Sequence, residues 1–258
     1  MKLDEIVKAI EKLPPEVQER VYEDLTDLSR AKKREEAQVN FMKYVKAMWP
    51  GFVHGRHHAL MAKKFEAIAN GTLKRLIINM PPRHTKSEFA SYLLPSWYLG
   101  RHPGKKVIQC SNTAELAVGF GRKVRNLVDS DQYGEMFPNV SLRVDSKAAG
   151  RWATSGGGEY FAIGVGGTVT GKGADLLIID DPHSEQEAAL AAGDPSVYDK
   201  VYEWYTSGPR QRLQPGGAGK DSMKVISKTS TSSWWLRIRT TRRSTAEGCF
   251  QRYAKTLR

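Results

Sequence analysis

Cysteine is almost absent from this chain: Cys110 and Cys249 are the two in 258 residues. They lie far apart and lack metal-ligand spacing, which argues against a disulfide or zinc scaffold and suits a reducing compartment. No stretch approaches the roughly 18 consecutive apolar residues that a membrane span requires. The opening Met1-Lys-Leu-Asp-Glu5 lacks the apolar core of a secretory signal. Acidic residues are also scarce, 28 against 40 basic ones, for a formal net charge of +12. An excess of that size points to a polyanionic partner, and without a membrane segment nucleic acid is favoured over an acidic membrane surface. A generally basic enzyme is the plainer alternative. A hydrophobic content of 40% over this length is enough for one large domain, or for a domain with an appendage.

Glycine is missing where a phosphate-binding loop would place it. In Arg75-Leu-Ile-Ile-Asn-Met-Pro-Pro-Arg-His-Thr-Lys-Ser-Glu88 an apolar run stops at Pro81-Pro82, Lys86-Ser87 follow, and a helix-compatible segment begins. Strand, tight loop, Lys-Ser and helix is the order in which loop N–H groups and a helix N-terminus face phosphates. The lysine then reaches the β- and γ-phosphates and the hydroxyl helps hold Mg²⁺. The usual pattern G-x-x-x-x-G-K-[ST] is broken twice, by Met80 and Thr85. Read alone, the stretch is more simply a buried strand entering a proline-rich turn, with Lys86 solvated.

A second motif raises the first. Ala174-Asp-Leu-Leu-Ile-Ile-Asp-Asp-Pro182 is a short apolar run, bounded by Gly173 and Pro182, that ends in two carboxylates. It suits a strand buried on both faces of a parallel sheet. Its C-terminal end is where open α/β sheets bind ligands. Asp180 is then the metal-side carboxylate beside Ser87, and Asp181 the residue that positions or polarises the attacking water.

Around these motifs the pattern is helical over residues 1–47, with Leu3, Ile6, Ile10 and Leu13, then Val17, Val21, Leu25 and Leu28 at helical spacing and Pro14-Pro15 between. A helix ends near Ala69 at Asn70-Gly71. A further helix is expected from about Ser87 to Leu99, a strand at 105–110, a helix over Ala114–Val128, two short strands around Gly156-Gly-Gly158, and helices from about 184 to 192 and 195 to 205. His57 or His58, with Arg56, precedes the first strand, where many nucleotide-driven motors contact adenine; a surface histidine cluster is the alternative. Arg122, Lys123 and Arg125 are either solvated or reach a phosphate. The glycine-rich stretch 161–173, with Thr168, Thr170 and Lys172, is either a DNA-phosphate contact or a plain connecting loop.

With these residues in hand, the chain resembles the ATPase domain of tailed-phage terminase large subunits over roughly residues 40–217. The likeness rests on Arg75–Ser87, Lys172–His183, Phe120–Asn126 and Ser207–Leu213. It implies an α/β P-loop NTPase of the RecA/ASCE type, with a mostly parallel sheet flanked by helices. It implies an ATP- and Mg²⁺-dependent motor that moves double-stranded DNA into a procapsid. The implied partners are the portal, a small terminase subunit and further copies in a ring; the implied location is the host cytoplasm, docked transiently on the procapsid. By the same resemblance Pro81, Pro82, Arg83, His84, Thr85, Lys86, Ser87 and His58 bind nucleotide, and Ser87 and Asp180 hold the metal. Asp181 stands where most relatives carry a catalytic glutamate. Arg83 acts in cis, or Arg122 or Arg125 in trans, as the arginine finger. Two other readings remain: a helicase- or recombinase-like P-loop ATPase, and a nucleic-acid-binding module with a decayed nucleotide site.

The resemblance stops after Gly217. It divides the chain into a helical lead-in (1–47), an ATPase domain (48–217) and an atypical basic tail (218–258) rich in Ser, Thr, Lys and Arg. The tail is a divergent final strand with a basic extension, a disordered terminus, or the product of an intron or shifted frame; its abruptness, where a strand is required, favours the third. A nuclease domain is not expected here, since no acidic cluster for two metals follows Pro215.

Overall fold

The computed structural model describes residues 7, 9–190, 193–194 and 196–214, together with the backbone of the strands 223–229 and 237–240. Three helices lead into the sheet: α1 (Pro15–Val39), α2 (Phe41–Met48) and α3 (Arg56–Ala69). Proline at the first position opens α1, where its missing N–H costs nothing. Asn40 caps α2 by accepting from the Lys43 N–H at 2.9 Å.

The first strand, β1 (Arg75–Met80), is followed by the Pro81–Ser87 segment, a π-helical turn (Glu88–Leu93) and α4 (Leu94–Arg101). Then come β2 (Lys106–Ser111), α5 (Ala114–Val128), α6 (Asp131–Met136), β3 (Leu142–Ala148), β4 (Arg151–Thr154), β5 (Glu159–Gly164) and β6 (Leu176–Asp180). Helices α7 (Glu185–Leu190) and α8 (Ser196–Ser207), a 3₁₀ turn (Pro209–Arg212) and strands β7 (Met223–Thr229) and β8 (Arg237–Thr240) complete the order. The cap of α5 is Thr113, whose hydroxyl accepts from the Leu116 N–H at 3.2 Å, so the helix runs over Ala114–Val128 as its pattern predicts, and Ser111 ends β2.

The eight described strands join one mixed sheet in the order β3-β4-β5-β2-β6-β7-β1-β8. The inner run β5-β2-β6-β7-β1 pairs in parallel, while β3, β4 and β8 pair antiparallel at the margins. The C-terminal ends of β1, β2 and β6 therefore lie on one edge. Alternation decides which face each residue covers. Leu76, Ile78 and Met80 of β1 and Leu176 and Ile178 of β6 enter the larger core with Phe41, Phe65, Phe89 and Trp97; Leu177 and Ile179 enter the smaller one with Val169 and Tyr205. Every residue of β6 is buried, as a run without alternation requires. Phe41 is the hub of the larger core, with edge-on contacts to Phe65, Phe89 and Trp97 at 5.2–5.7 Å between ring centres.

Two expectations need correction, and the helical lead-in packs only in part. The tail beyond residue 217 supplies two strands, and β7 lies between β6 and β1, so a boundary at 217 cuts through the sheet. The helix expected from Ser87 to Leu99 is helical from Lys86 but passes through a π turn before α4. In the lead-in, Val17, Leu25 and Leu28 stay exposed; α1 docks by its C-terminal end, where Ala37 is buried and its carbonyl accepts from the Trp97 indole at 2.9 Å. Helical spacing marks a face that can pack, and only a neighbour makes it pack.

Candidate functional site

Strand β7 separates β1 from β6, so the ends of the two motif strands are two strand spacings, about 9–10 Å, apart. The Lys86 side chain closes that gap. Its Nζ lies 2.7 Å from Asp181 Oδ1 and 3.4 Å from Asp180 Oδ1. Lys86 and Asp180 are buried, whereas Asp181 is about one-third exposed. Lys86 and Asp181, 95 residues apart in sequence, thus meet at the C-terminal edge of the parallel strands.

The loop that carries Lys86 is strained. Arg83 and Thr85 adopt φ 61° and 59°, and Asp181 at the end of β6 adopts φ 39°. These are left-handed angles that glycine takes freely. For a β-branched threonine such a φ is an outlier, costing about 1–3 kcal/mol, and it persists only where the surroundings hold it. Thr85 therefore adopts a backbone shape that glycine takes freely. The angle is glycine-like although the side chain disfavours it, so its cost is met by the surroundings.

His58 supplies part of that hold. Its Nε2 is 2.6 Å from the Thr85 hydroxyl, which donates to the His84 carbonyl at 2.6 Å. Its Nδ1 accepts from the Gly55 N–H at 2.8 Å. The ring stacks on Phe89 and meets Phe52 edge-on, both at 4.7 Å, and the residue is only 4% exposed. Burial first, then the neighbouring His57, His54 and His84, lower its pKa to about 4. With both nitrogens engaged and little exposed surface, the ring presents no free edge toward a nucleotide base, which speaks against the expected adenine contact. His57 is lowered too, chiefly by burial. His84 is exposed, and its Nδ1–H donates to the Pro82 carbonyl at 2.8 Å, tightening the turn.

Asp180 is oriented from below. The Ser91 hydroxyl donates to its Oδ2 at 2.8 Å, and the Gln109 amide donates to Ser91 Oγ at 3.2 Å. The π turn carries Ser91 to this position, and π turns inside helices recur at functional sites. Neither Ser91 nor Gln109 stands out in the sequence as a site residue. The available signal is Gln109, a lone amide in the apolar run Val107-Ile-Gln-Cys110. Among the described residues, Asp180 Oδ1 is buried and, beyond its 3.4 Å ion pair with Lys86, accepts no hydrogen bond, while Ser111 Oγ, at the end of the adjacent β2, is buried without a hydrogen-bond partner. A buried carboxylate oxygen left this way suits a hard divalent cation or one of its waters. Ser87 sits in the first helical turn beside Lys86, partly exposed. Among the described residues no ready-made cluster of three His, Cys, Asp or Glu exists, so a metal here needs the hydroxyl, one carboxylate and ligand oxygens together.

The remaining expected residues fall differently. Pro82 and Arg83 are exposed at the loop surface, and Pro81 is half-buried. Arg122 is exposed on α5. Arg125 is engaged away from the loop: its guanidinium donates to the Lys147 carbonyl at 2.7 Å and to Asn126 Oδ1 at 2.9 and 3.2 Å. It is Lys123 between them that reaches the loop's helix, pairing with Glu88 at 2.8 Å. In the glycine-rich stretch, Val169 is buried, the Trp204 indole donates to the Gly167 carbonyl at 2.9 Å, and Lys172 lies 5.4 Å over the Phe161 ring. No described helix is long and apolar enough to cross a membrane.

No protein-family profile and no curated protein matches the sequence. Among solved structures, the chain is similar to the large terminase of bacteriophage HK97, with TM-score 0.41 and 13% identity over 68% of this chain and 33% of that one. It is also similar to the large terminase ATPase domain of Thermus phage P74-26, with TM-score 0.43 and 18% identity over 74% of this chain and 70% of that one. An arginine-to-alanine mutant of that domain gives TM-score 0.41 at the same identity. The chain spans one-third of the length of the HK97 protein. At these values the chemistry of the site has to come from the chain's own residues.

Proposed function

We propose that this chain is an ATP-hydrolysing P-loop NTPase, the motor of a viral DNA-packaging terminase that drives double-stranded DNA into a procapsid. The carrying observation is the meeting of Lys86 with Asp180 and Asp181, at 3.4 and 2.7 Å, where a left-handed loop turns into a helix. A helix N-terminus favours negative charge, and a lysine placed there on a short tether adds a full positive one. A triphosphate competes for the Lys86 ammonium with the two carboxylates; binding transfers it from them to the β- and γ-oxygens. Backbone N–H groups of Pro82–Ser87, proline excepted, take the phosphate oxygens. Asp180 and the Ser87 hydroxyl would hold Mg²⁺, which when bound neutralises charge on those oxygens. Asp181, released from Lys86 and one-third exposed, orients the attacking water. Arg83 in the loop and Arg122 on α5 both carry exposed guanidiniums, and they are the candidates for the arginine finger, Arg83 within the same copy and Arg122 toward a neighbouring copy in a ring. The working unit extends through β7, since the sheet that sets the spacing of the two motifs includes it.

The +12 net charge favours a polyanion, and the sequence resemblance makes DNA, a portal and a small subunit the partners of choice. The test is Mg²⁺-dependent ATP turnover with and without double-stranded DNA, wild type against Asp180→Ala and Lys86→Ala, at temperatures where each is folded. Turnover that depends on both residues supports the reading, and a steep rise with protein concentration supports the ring. A wild-type rate no higher than the variants favours the decayed nucleotide site.

A further inference from the structure

We propose that His58 is the positioning residue of the phosphate loop: through Thr85 it holds the left-handed turn that presents Lys86. This rests on reading residues 81–87 as a phosphate loop, but the device is visible in the hydrogen bonds alone. The His84 carbonyl can only accept, so the Thr85 hydroxyl spends its proton there. The hydroxyl must then accept from His58, which places a proton on Nε2. The Gly55 N–H can only donate, which leaves Nδ1 bare. One neutral tautomer satisfies all three bonds.

The ring cannot turn away, because Phe52 and Phe89 cover it, and Phe89 belongs to the helical segment that the loop opens. The Phe89 N–H in turn donates to the Thr85 carbonyl at 3.0 Å, so Thr85 is tied at its hydroxyl to the segment before β1 and at its backbone to the helix after the loop. A threonine at φ 59° has reason to relax toward negative φ, which would swing the following Lys86 off its line. The histidine bond opposes that motion. Where glycine occupies such a position no hold is required, so the roles of His58 and Thr85 are coupled.

The coupling is tested by a four-protein cycle: wild type, His58→Phe, Thr85→Gly and the double variant. Phenylalanine keeps the packing between Phe52 and Phe89 and removes both the Nε2 donor and the Nδ1 acceptor of the Gly55 N–H, the second loss being common to both backgrounds. Two quantities are read: affinity for a fluorescent ATP analogue with Mg²⁺, and amide hydrogen exchange of residues 82–88. With Thr85 in place, His58→Phe is expected to weaken binding about tenfold and to speed loop exchange, an effect the size of one hydrogen bond between ordered groups. In the Thr85→Gly background the same change should alter both by less than about twofold. Equal losses in both backgrounds mean a merely structural ring and overturn the proposal, as does no loss in either. Thr85→Val, which leaves His58 intact, should reproduce the loosened loop, and Thr85→Ser should not; the opposite ranking also overturns it. Nitrogen-15 shifts of His58 should report a protonated Nε2 and a bare Nδ1, and the other tautomer refutes the relay. A wild type that binds no nucleotide sinks the ATPase reading, while the exchange and tautomer results still decide the brace.

Discussion

Replacing Lys86 with alanine should destabilise the protein as well as silence the site. Lys86 and Asp180 are 5% and 3% exposed and 3.4 Å apart, and Asp181 places a second carboxylate 2.7 Å from the same ammonium. Without Lys86 two adjacent carboxylates remain, and among the described residues the buried one keeps the Ser91 hydroxyl as its donor. Deleting one partner of a buried pair costs about 3–5 kcal/mol, because the other charge stays desolvated. In a chain of this size each kcal/mol shifts Tm by about 2–4 °C, so a fall of roughly 6–20 °C is expected. Lys86→Met combined with Asp180→Asn removes both charges and should recover most of the loss, since replacing a whole buried pair is often neutral. Urea and thermal unfolding followed by circular dichroism measure both. A Lys86→Ala protein within about 1 kcal/mol of wild type, or a double variant no more stable than the single, would refute the reasoning.

Stability should also fall in acid through His58. Its folded pKa, about 4, lies below the unfolded value near 6.5, so between these the unfolded chain takes a proton that the folded ring refuses. The contribution is complete above pH 6.5, falls by about 3 kcal/mol as pH drops to 4 and is flat below; the difference between wild type and His58→Phe in unfolding from pH 7 to 4 isolates it from the other histidines, and a pH-independent difference would count against it. Ser91→Ala should raise the Mg²⁺ concentration for half-maximal turnover while leaving metal-free nucleotide affinity near wild type, and should cost about 1.5–3 kcal/mol of stability for a hydrogen bond to a charged group; unchanged Mg²⁺ dependence argues against orientation of Asp180 by Ser91. Arg122→Ala should lower turnover about 10³-fold, as loss of an arginine finger does, without moving Tm, whereas Arg125→Ala, tied to the Lys147 carbonyl, should lower it far less. The reverse ranking would assign the finger to Arg125.

The elements that carry the site are legible because their signals are local. β1 and β6 announce themselves as short apolar runs that stop at Pro81-Pro82 and Asp181-Pro182, and α5 as a capped amphipathic segment. Residue type and order then name Lys86, Asp180 and Asp181, and the structure brings those three together. His58 is picked out by the sequence for its place before β1, while its burial against Phe52 and Phe89 is not readable there. Ser91 escapes notice because a π turn leaves no period to read in six residues, Glu88–Leu93. The strand β7 is hard to see because its flanks are polar and repetitive, although Val225-Ile226 gives it a short apolar centre.

The sequence by itself determined the chemistry available at the edge of the sheet: one lysine, one hydroxyl and two carboxylates, each at the end of an element whose pattern is local. Only the tertiary structure decided their spacing and their state. Strand insertion between β1 and β6 is a long-range pairing, set by which backbone edges meet. The left-handed Thr85 is disfavoured by its own side chain, so its angle is set from outside, by His58 and the helix that follows. Local preference can name a residue for a role; a conformation that runs against local preference exists only because distant groups hold it.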